Sequence, residues 1–172
     1  MEIFISIDGV LRNTIQKFDY HYNDAYLESE LEDNTFEYNI VGDVQNDDIS
    51  KYYKFQSQDE FEYFTFIEYP IEIFGHAGSV EYNSMNDLND FYLDMRNLHE
   101  IIIVSDEIGK SKPASLFFLA KFGCLVETIK FYSEITIKNS LWDSIDILLT
   151  ANPNLLLNYP ENKKVIKYET EY

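Results

Sequence analysis

The chain has little cysteine and no long apolar run. Its single cysteine, Cys124, cannot form an intramolecular disulfide, which indicates a reducing, cytoplasmic compartment. The most apolar stretch, from Leu116 to Val126, is interrupted by Lys121, and no basic segment precedes an apolar run at the N-terminus. We therefore expect neither a membrane span nor a secretory signal peptide.

Basic residues are also scarce. The 172 residues include 13 Lys and Arg against 31 Asp and Glu, which gives a formal net charge of −18. Long-range repulsion then disfavours binding to a phosphate backbone, so we expect no direct contact with nucleic acid. The histidines, His21, His76 and His99, are separated from one another and from the cysteine, and this spacing argues against a metal site.

Short aliphatic runs without alternation are typical of strands buried on both faces of a parallel sheet. Such runs occur at 3–7, 101–104 and 145–149. A helix is predicted over 113–122, because proline suits its first turn and Gly123 suits its end. The remaining predicted elements are a strand at 126–132, a helical turn at 153–157 and an edge strand at 165–168. This order of elements predicts an α/β fold with a parallel sheet.

Residues 13–97 differ in character from the segments on either side, 1–12 and 98–172. We interpret the flanking segments as one α/β core and 13–97 as an acidic, aromatic-rich insertion, or cap, after the first strand. Asp19 to Glu62 carries thirteen acidic residues against two lysines, a local net charge of −11. Met85 to Arg96 has the spacing of an amphipathic helix, and we expect it to pack against the core.

Aromatic and acidic residues are interleaved from Phe61 to Phe74. With 13 Phe and 14 Tyr in the chain, some aromatic side chains should reach the surface. Aromatic side chains give a protein partner a large contact area at low entropic cost. We therefore predict a protein partner that binds through residues 19–92, and an oligomer is compatible with the same pattern.

Polar residues follow the predicted strands. The first strand leads into Ser6-Ile7-Asp8-Gly9-Val10-Leu11. Ligands of an open parallel sheet lie at the carboxyl ends of its strands, so the residues at those ends are the candidate site residues. They are Ser6 and Asp8 after the first strand, Ser105 after the second, and Thr150, Ala151 and Asn152 after the third.

This order of motifs resembles the haloacid dehalogenase-like (HAD) superfamily, and within it the small 5'-nucleotidase-like branch, whose cap is inserted after the first motif. The resemblance covers residues 1–12 and 100–172 and implies a Rossmann-like core. The segments Asn152-Pro-Asn-Leu-Leu-Leu and Lys163-Lys-Val-Ile-Lys are also similar to HAD-like proteins of tailed bacteriophages. For a phage protein, the expected location is the host cytoplasm or the virion.

The resemblance implies roles for individual positions. In that family the first strand ends in Asp-x-Asp-Gly-x-Leu, where the first Asp attacks phosphorus and the second transfers the proton. Ser6 replaces the first Asp, whereas Asp8 and Gly9 match the pattern. Ser105 matches the residue that holds the phosphoryl group, and Lys112, in preference to Lys110, matches the lysine that neutralises its charge. Thr150 and Ala151 replace the acidic pair that holds magnesium.

These replacements predict a loss of catalysis. Magnesium prefers carboxylate ligands, and a serine hydroxyl needs a neighbouring general base before it can attack. Loss of the nucleophile or of the metal alone removes several kcal/mol or more of barrier stabilisation, so the two losses together should lower the rate by many powers of ten. We therefore expect a pseudoenzyme with no catalytic residues and no cofactor. We expect a magnesium cofactor only if the chain is an active phosphohydrolase. If the phosphate-binding pocket is retained, the resemblance implies that Asp8, Gly9, Ser105 and Lys112 form it.

Each position also has a simpler interpretation. Asp8 and Gly9 suit an ordinary turn after a strand, and Ser105 suits a cap. The lysines and the acidic run suit a solvated surface. The function thus has several open candidates. The first is a binding or structural component that acts through the insertion. The others are a magnesium-dependent phosphohydrolase of nucleotide-like phosphomonoesters, an acidic mimic of nucleic acid that blocks a basic protein, and a phosphate sensor.

Overall fold

The computed structural model describes residues 1–27, 49–105, 111–132 and 141–170. The strands within these ranges are β1 (Glu2–Ser6), β2 (Glu100–Ser105), β3 (Thr128–Phe131), β4 (Ile147–Thr150) and β5 (Lys164–Lys167). The α-helices are α1 (Thr14–Leu27), α2 (Gln58–Tyr63), α3 (Ser84–Met95), α4 (Lys112–Lys121) and α5 (Pro153–Leu157). Shorter helical turns occupy Ile49–Tyr52, Phe64–Glu68, Ile71–Gly75 and Trp142–Ser144.

The strands form one parallel sheet in the order β3-β2-β1-β4-β5. The central strand is β1, where Phe4 pairs with Ile102 of β2 and with Leu148 of β4. The chain adds β2 and β3 on one side of β1 and then returns to add β4 and β5 on the other. This confirms the predicted α/β fold with a Rossmann-like core, and the change of direction opens a crevice at the carboxyl ends of β1 and β4.

Helices cover both faces of the sheet. On one face, Ile5 and Ile103 pack with Leu88 of α3 and Phe118 of α4. The other face carries a second cluster, which includes Phe4, Ile102, Leu148 and, from α5, Leu155. The alternation follows from the strand period of two residues, which places successive side chains on opposite faces. The prediction that the helix near 85–96 packs against the core is confirmed.

Helix α4 ends as its sequence predicts. Gly123 has a φ of 70°, a left-handed conformation that glycine adopts without a Cβ penalty. In this conformation the Gly123 amide donates to the Ala120 carbonyl at 3.1 Å, and the Cys124 amide donates to the Leu119 carbonyl at 2.9 Å. These bonds satisfy the last carbonyls of the helix.

The insertion has an aromatic core of its own. Phe18 of α1 lies at its centre and contacts the rings of Tyr53, Phe61 and Phe64. Ala114 of α4 belongs to the same cluster, so the insertion packs directly on the α/β core. Helix α3 falls inside the predicted insertion, but its apolar side chains belong to the core cluster.

Part of the predicted acidic run, residues 28–48, lies outside the described residues. The same is true of Lys110, the second candidate for the phosphoryl-binding lysine. In the part of the chain that the structure describes, no helix is both long enough and apolar enough to cross a membrane.

Candidate functional site at the carboxyl edge of the sheet

The fold brings three of the predicted site residues to adjacent strand ends. Ser105 ends β2, Ser6 ends β1 and Thr150 ends β4, and these strands are neighbours in the sheet. All three side chains are buried. These residues lie at the strand ends where the sequence predicted them. The chemistry of this edge depends on the hydrogen-bond partners of each hydroxyl.

Ser6 is bonded to Thr150. The Ser6 hydroxyl donates to Thr150 Oγ1 at 2.8 Å, and the Asn152 amide donates to the same oxygen at 3.1 Å. Among the described residues, no carboxylate or imidazole accepts the Ser6 proton. A serine nucleophile needs such a base, because its hydroxyl is otherwise a weak attacking group. The pair therefore resembles a structural bond between two strands.

Asp8 is held by Arg12. Arg12 Nε donates to Asp8 Oδ1 and Arg12 Nη2 donates to Asp8 Oδ2, both at 2.9 Å. The Thr14 hydroxyl also donates to Asp8 Oδ1. Both carboxylate oxygens of Asp8 thus accept bonds from a fixed guanidinium, which is the strong bidentate form of this ion pair.

Arg12 joins the loop after β1 to the rest of the molecule. Its side chain is 1% exposed. Arg12 Nη1 donates to the Phe74 carbonyl at 3.1 Å, which lies in the insertion, and to Ser115 Oγ of α4 at 2.8 Å. The guanidinium carbon also lies 5.1 Å and 5.5 Å from the ring centroids of Phe74 and Phe118. A charge this deeply buried needs its counterion, so Asp8 has a structural role whatever else it does.

The backbone is crowded beside β4. Gly9 has a φ of 74°, and a Cβ added there would lie 2.7 Å from Ala151 Cβ. The segment after β5 also reaches this edge, because the Tyr168 amide donates to the Thr150 carbonyl at 2.9 Å and Thr170 Cγ2 lies 3.8 Å from the same added Cβ. Position 9 therefore has no room for a Cβ beside Ala151.

Ser105 differs from the other two hydroxyls. It is 3% exposed, and among the described residues its Oγ has no hydrogen-bond partner. An unpaired buried hydroxyl costs about 1–3 kcal/mol relative to a paired one. Ser105 is thus the hydroxyl at this edge whose bonding capacity is still available to a ligand or a water molecule.

Lys112 stands at the start of α4, as predicted, and its side chain is exposed. Its ammonium lies 4.7 Å from the ring centroid of Phe131, the residue that pairs with Ser105 in the sheet. The structure records no bond from Lys112 to Ser6, Asp8 or Ser105. The predicted phosphate-binding set is therefore brought to one edge of the sheet but is not assembled through direct contacts.

The residues of this edge do not fit a magnesium ion. Magnesium is held by carboxylates in near-octahedral geometry. Ser6 and Thr150 are bonded to each other, Ala151 has no donor atom, and Asp8 is paired with Arg12. Among the described residues, no group of three or more His, Cys, Asp or Glu side chains is arranged to hold a metal.

Tyr168, Tyr26 and His21 are among the groups with displaced pKa values. Burial raises the pKa of Tyr168, and its hydrogen bond to Glu81, at 3.1 Å, raises it further. In the insertion, burial and the bond to Glu60, at 2.7 Å, raise the pKa of Tyr26. Burial and the nearby Lys17 lower the pKa of His21. Each shift favours the neutral form of the group, as burial does in general.

Sequence reasoning missed Arg12, Thr14 and Ser115. The arginine had a weak signal, because the chain contains only two arginines and this one lies four residues after Asp8. No sequence signal pointed to its partners Phe74 and Ser115, because they lie 62 and 103 residues from Arg12 along the chain.

Comparison with protein-family models gives no match to this chain. Comparison with curated proteins gives no match of significant similarity. The HAD-like ancestry therefore stays a prediction from the sequence motifs. The role of the sheet edge is inferred from its own residues and bonds.

Proposed function

We propose that this chain is a degenerate HAD-like protein that acts as a binding or structural component through its acidic, aromatic insertion and does not hydrolyse phosphate esters. The observation that carries the proposal is the bonding at the sheet edge. Ser6 stands where the nucleophile is expected and bonds Thr150, while Asp8 stands where the acid-base group is expected and bonds Arg12.

Electrostatics supports the same proposal. A phosphoryl transfer needs positive groups or a metal around the developing negative charge. Among the described residues, the cation that bonds Asp8 is Arg12, whose nitrogen atoms are occupied by Asp8, Thr14, Phe74 and Ser115. The arginine is therefore fixed in the fold and is not free to bind substrate.

Magnesium-dependent release of phosphate from a panel of nucleoside monophosphates tests the proposal. We expect the native chain to release no more phosphate than the Ser6→Ala variant. Release by the native chain that Ser6→Ala abolishes would make Ser6 a nucleophile and overturn the proposal. A phosphatase of known activity, assayed alongside, verifies that the substrates and the magnesium are competent.

A variant with Ser6→Asp, Thr150→Asp and Ala151→Asp asks how much of the family pattern is needed for activity. We expect it to remain silent, because Asp8, which stands where the acid-base group is expected, stays paired with Arg12. Circular dichroism distinguishes a silent folded variant from an unfolded one.

One observation favours a second candidate, the phosphohydrolase or its reduced form, a phosphate sensor. The buried Ser105 hydroxyl has no partner among the described residues, and Lys112 lies against Phe131 of the neighbouring strand β3. Saturable binding of inorganic phosphate that Ser105→Ala weakens would support this candidate. Calorimetry that detects no heat of binding at millimolar phosphate would exclude it in any useful form.

The acidic mimic of nucleic acid and the setting in a phage virion or the cytoplasm remain predictions. The mimic depends mainly on the charge of residues 28–48, which lie outside the described residues. Competition between DNA and this chain for a basic DNA-binding protein, measured across a range of salt concentrations, tests it.

A further inference from the structure

Residues 58–75 form a helical run with two widened turns. Helix α2 leads into a π-type turn at Phe64–Glu68, and a second π-type turn follows Pro70 at Ile71–Gly75. The Tyr69 amide bonds the Phe64 carbonyl at 3.0 Å, and the His76 amide bonds the Ile71 carbonyl at 2.7 Å. Such turns are rare and are frequently found at functional sites.

The widened turns decide which side chains face outward. In each turn three consecutive residues are buried, at 64–66 and 73–75. Three large apolar side chains outside these buried groups stay at the surface, whereas Phe61 is buried. Tyr63 is 57% exposed, Ile67 is 53% exposed and Ile71 is 39% exposed, and they follow one another at intervals of four residues.

The exposed row continues onto the α/β core. A Cβ added at Gly75 would lie 3.0 Å from Phe117 Cδ1 of α4 and 3.6 Å from Ile71 Cγ2, so both side chains border the same point. Phe117 is 42% exposed. We call Tyr63, Ile67, Ile71 and Phe117 the apolar strip.

The helical run beside the strip carries charge of one sign. Residues 58–75 contain five acidic side chains and no lysine or arginine, and the acidic residues are Asp59, Glu60, Glu62, Glu68 and Glu72. A second copy of this chain would bring its own net charge of −18 to the strip, so repulsion opposes self-association. Charge complementarity instead selects a basic occupant.

We propose that the apolar strip binds a basic, amphipathic segment of another protein. The apolar side chains of that segment cover Tyr63, Ile67, Ile71 and Phe117, and its lysines and arginines lie toward Glu68 and Glu72. The inference rests on the proposed function, because it names the chemistry of the partner that a binding component would take. Exposed apolar side chains bordered by charge are the usual anatomy of a protein interface.

Selection of a random peptide library on the immobilised full chain tests the inference. We expect the enriched peptides to combine lysine or arginine with large apolar residues. Their affinity, measured by fluorescence anisotropy, should fall about tenfold or more in an Ile67→Ser, Ile71→Ser variant, a change of about 1.4 kcal/mol or more. Glu68→Gln with Glu72→Gln should weaken binding less and should flatten its salt dependence.

Leu157→Ser is the matched control. Leu157 is an exposed leucine of α5, which covers the opposite face of the sheet, so its replacement should leave peptide affinity unchanged. The strip variants replace exposed side chains and should keep the thermal unfolding midpoint of the native chain within a few degrees, because exposed substitutions usually change stability by about 0.5 kcal/mol or less.

Several outcomes would overturn the inference. They are enrichment of acidic or uncharged peptides, enrichment of no basic peptide, equal loss of affinity in the Leu157→Ser control, and concentration-dependent self-association that the strip variants abolish. Binding that resists the strip variants but is lost in a Tyr20→Ser variant would place the interface elsewhere on the insertion. The proposed function fails by a different result, namely phosphate release that depends on Ser6.

Discussion

The carboxyl edge of the sheet and the outer surface of the insertion use their side chains in opposite ways. At the sheet edge, Ser6 bonds Thr150 and Asp8 bonds Arg12, so these four side chains satisfy one another inside the fold, whereas Ser105 has no partner among the described residues. On the insertion, Tyr63 and Ile67 remain exposed beside acidic residues. The difference supports our proposals that the carboxyl edge has a structural role and that the insertion binds a partner.

The largest expected effect comes from breaking the buried ion pair. Asp8→Ala leaves Arg12 charged and buried, which should lower the free energy of unfolding by about 3–5 kcal/mol. The double variant Asp8→Ala, Arg12→Met removes both charges and should be less destabilised than the sum of the single variants. Urea denaturation measures all the values.

Asp90→Ala is the control for this cycle, because Asp90 is an exposed acid of α3 and its loss should change stability by about 0.5 kcal/mol or less. If Asp8→Ala proved no more destabilising than Asp90→Ala, the ion pair would not be structural. Asp8 would then again be a candidate for catalysis.

The next largest effect tests the crowding beside β4. Gly9→Ala forces alanine into a left-handed backbone conformation and places its Cβ against Ala151. We therefore expect the free energy of unfolding to fall by about 1–3 kcal/mol. Gly78→Ala is the matched control, since a Cβ at Gly78 has no atom within 4 Å. Equal unfolding midpoints for the two variants would show that the edge has more room than the structure indicates.

A smaller effect separates the paired hydroxyl from the unpaired one. Ser6→Ala breaks the bond to Thr150 and should destabilise the chain by about 0.5–1.5 kcal/mol. Ser105→Ala removes an unsatisfied buried hydroxyl and should be neutral or stabilising. A destabilising Ser105→Ala, measured in the same denaturation series, would mean that Ser105 has a bonding partner in solution.

The smallest effect concerns the insertion at high pH. Burial and Glu60 raise the pKa of Tyr26 above its ordinary value of 10.0, so the neutral phenol is favoured in the folded state. Its contribution to stability is therefore complete below pH 10.0 and is lost as the pH rises toward the folded pKa. Tyr26→Phe should weaken this alkaline dependence, whereas Tyr82→Phe, at an exposed position, should leave it unchanged. Thermal melts across alkaline pH measure both.

The sequence predicted most of the α/β core. Strands buried on both faces appear as uninterrupted aliphatic runs, and each of the predicted strands is present. Gly123 ends α4 as predicted, because its local sequence is enough to specify a helix terminus. These successes share one cause, which is that the signal lies within a short stretch of chain.

The sequence did not predict the bonds that define the site. The Arg12 contacts depend on residues that only the folded chain brings together, at Phe74 and Ser115. The sequence also did not predict the widened turns of the insertion. The burial of Phe64 and Phe66 there depends on the aromatic cluster that they form with residues of α1 and α4. The pairing of polar groups is a property of tertiary structure and leaves little trace in spacing.

Titration of the isotope-labelled native chain with magnesium and inorganic phosphate, followed by NMR, tests the central claim most directly. Because Ser6 is paired with Thr150 and Asp8 with Arg12, the amide signals of Ser6, Gly9 and Thr150 should not shift at millimolar concentrations of either ion. Saturable shifts at these amides, with both ions required together, would contradict the claim and restore the sheet edge as a working phosphoryl site.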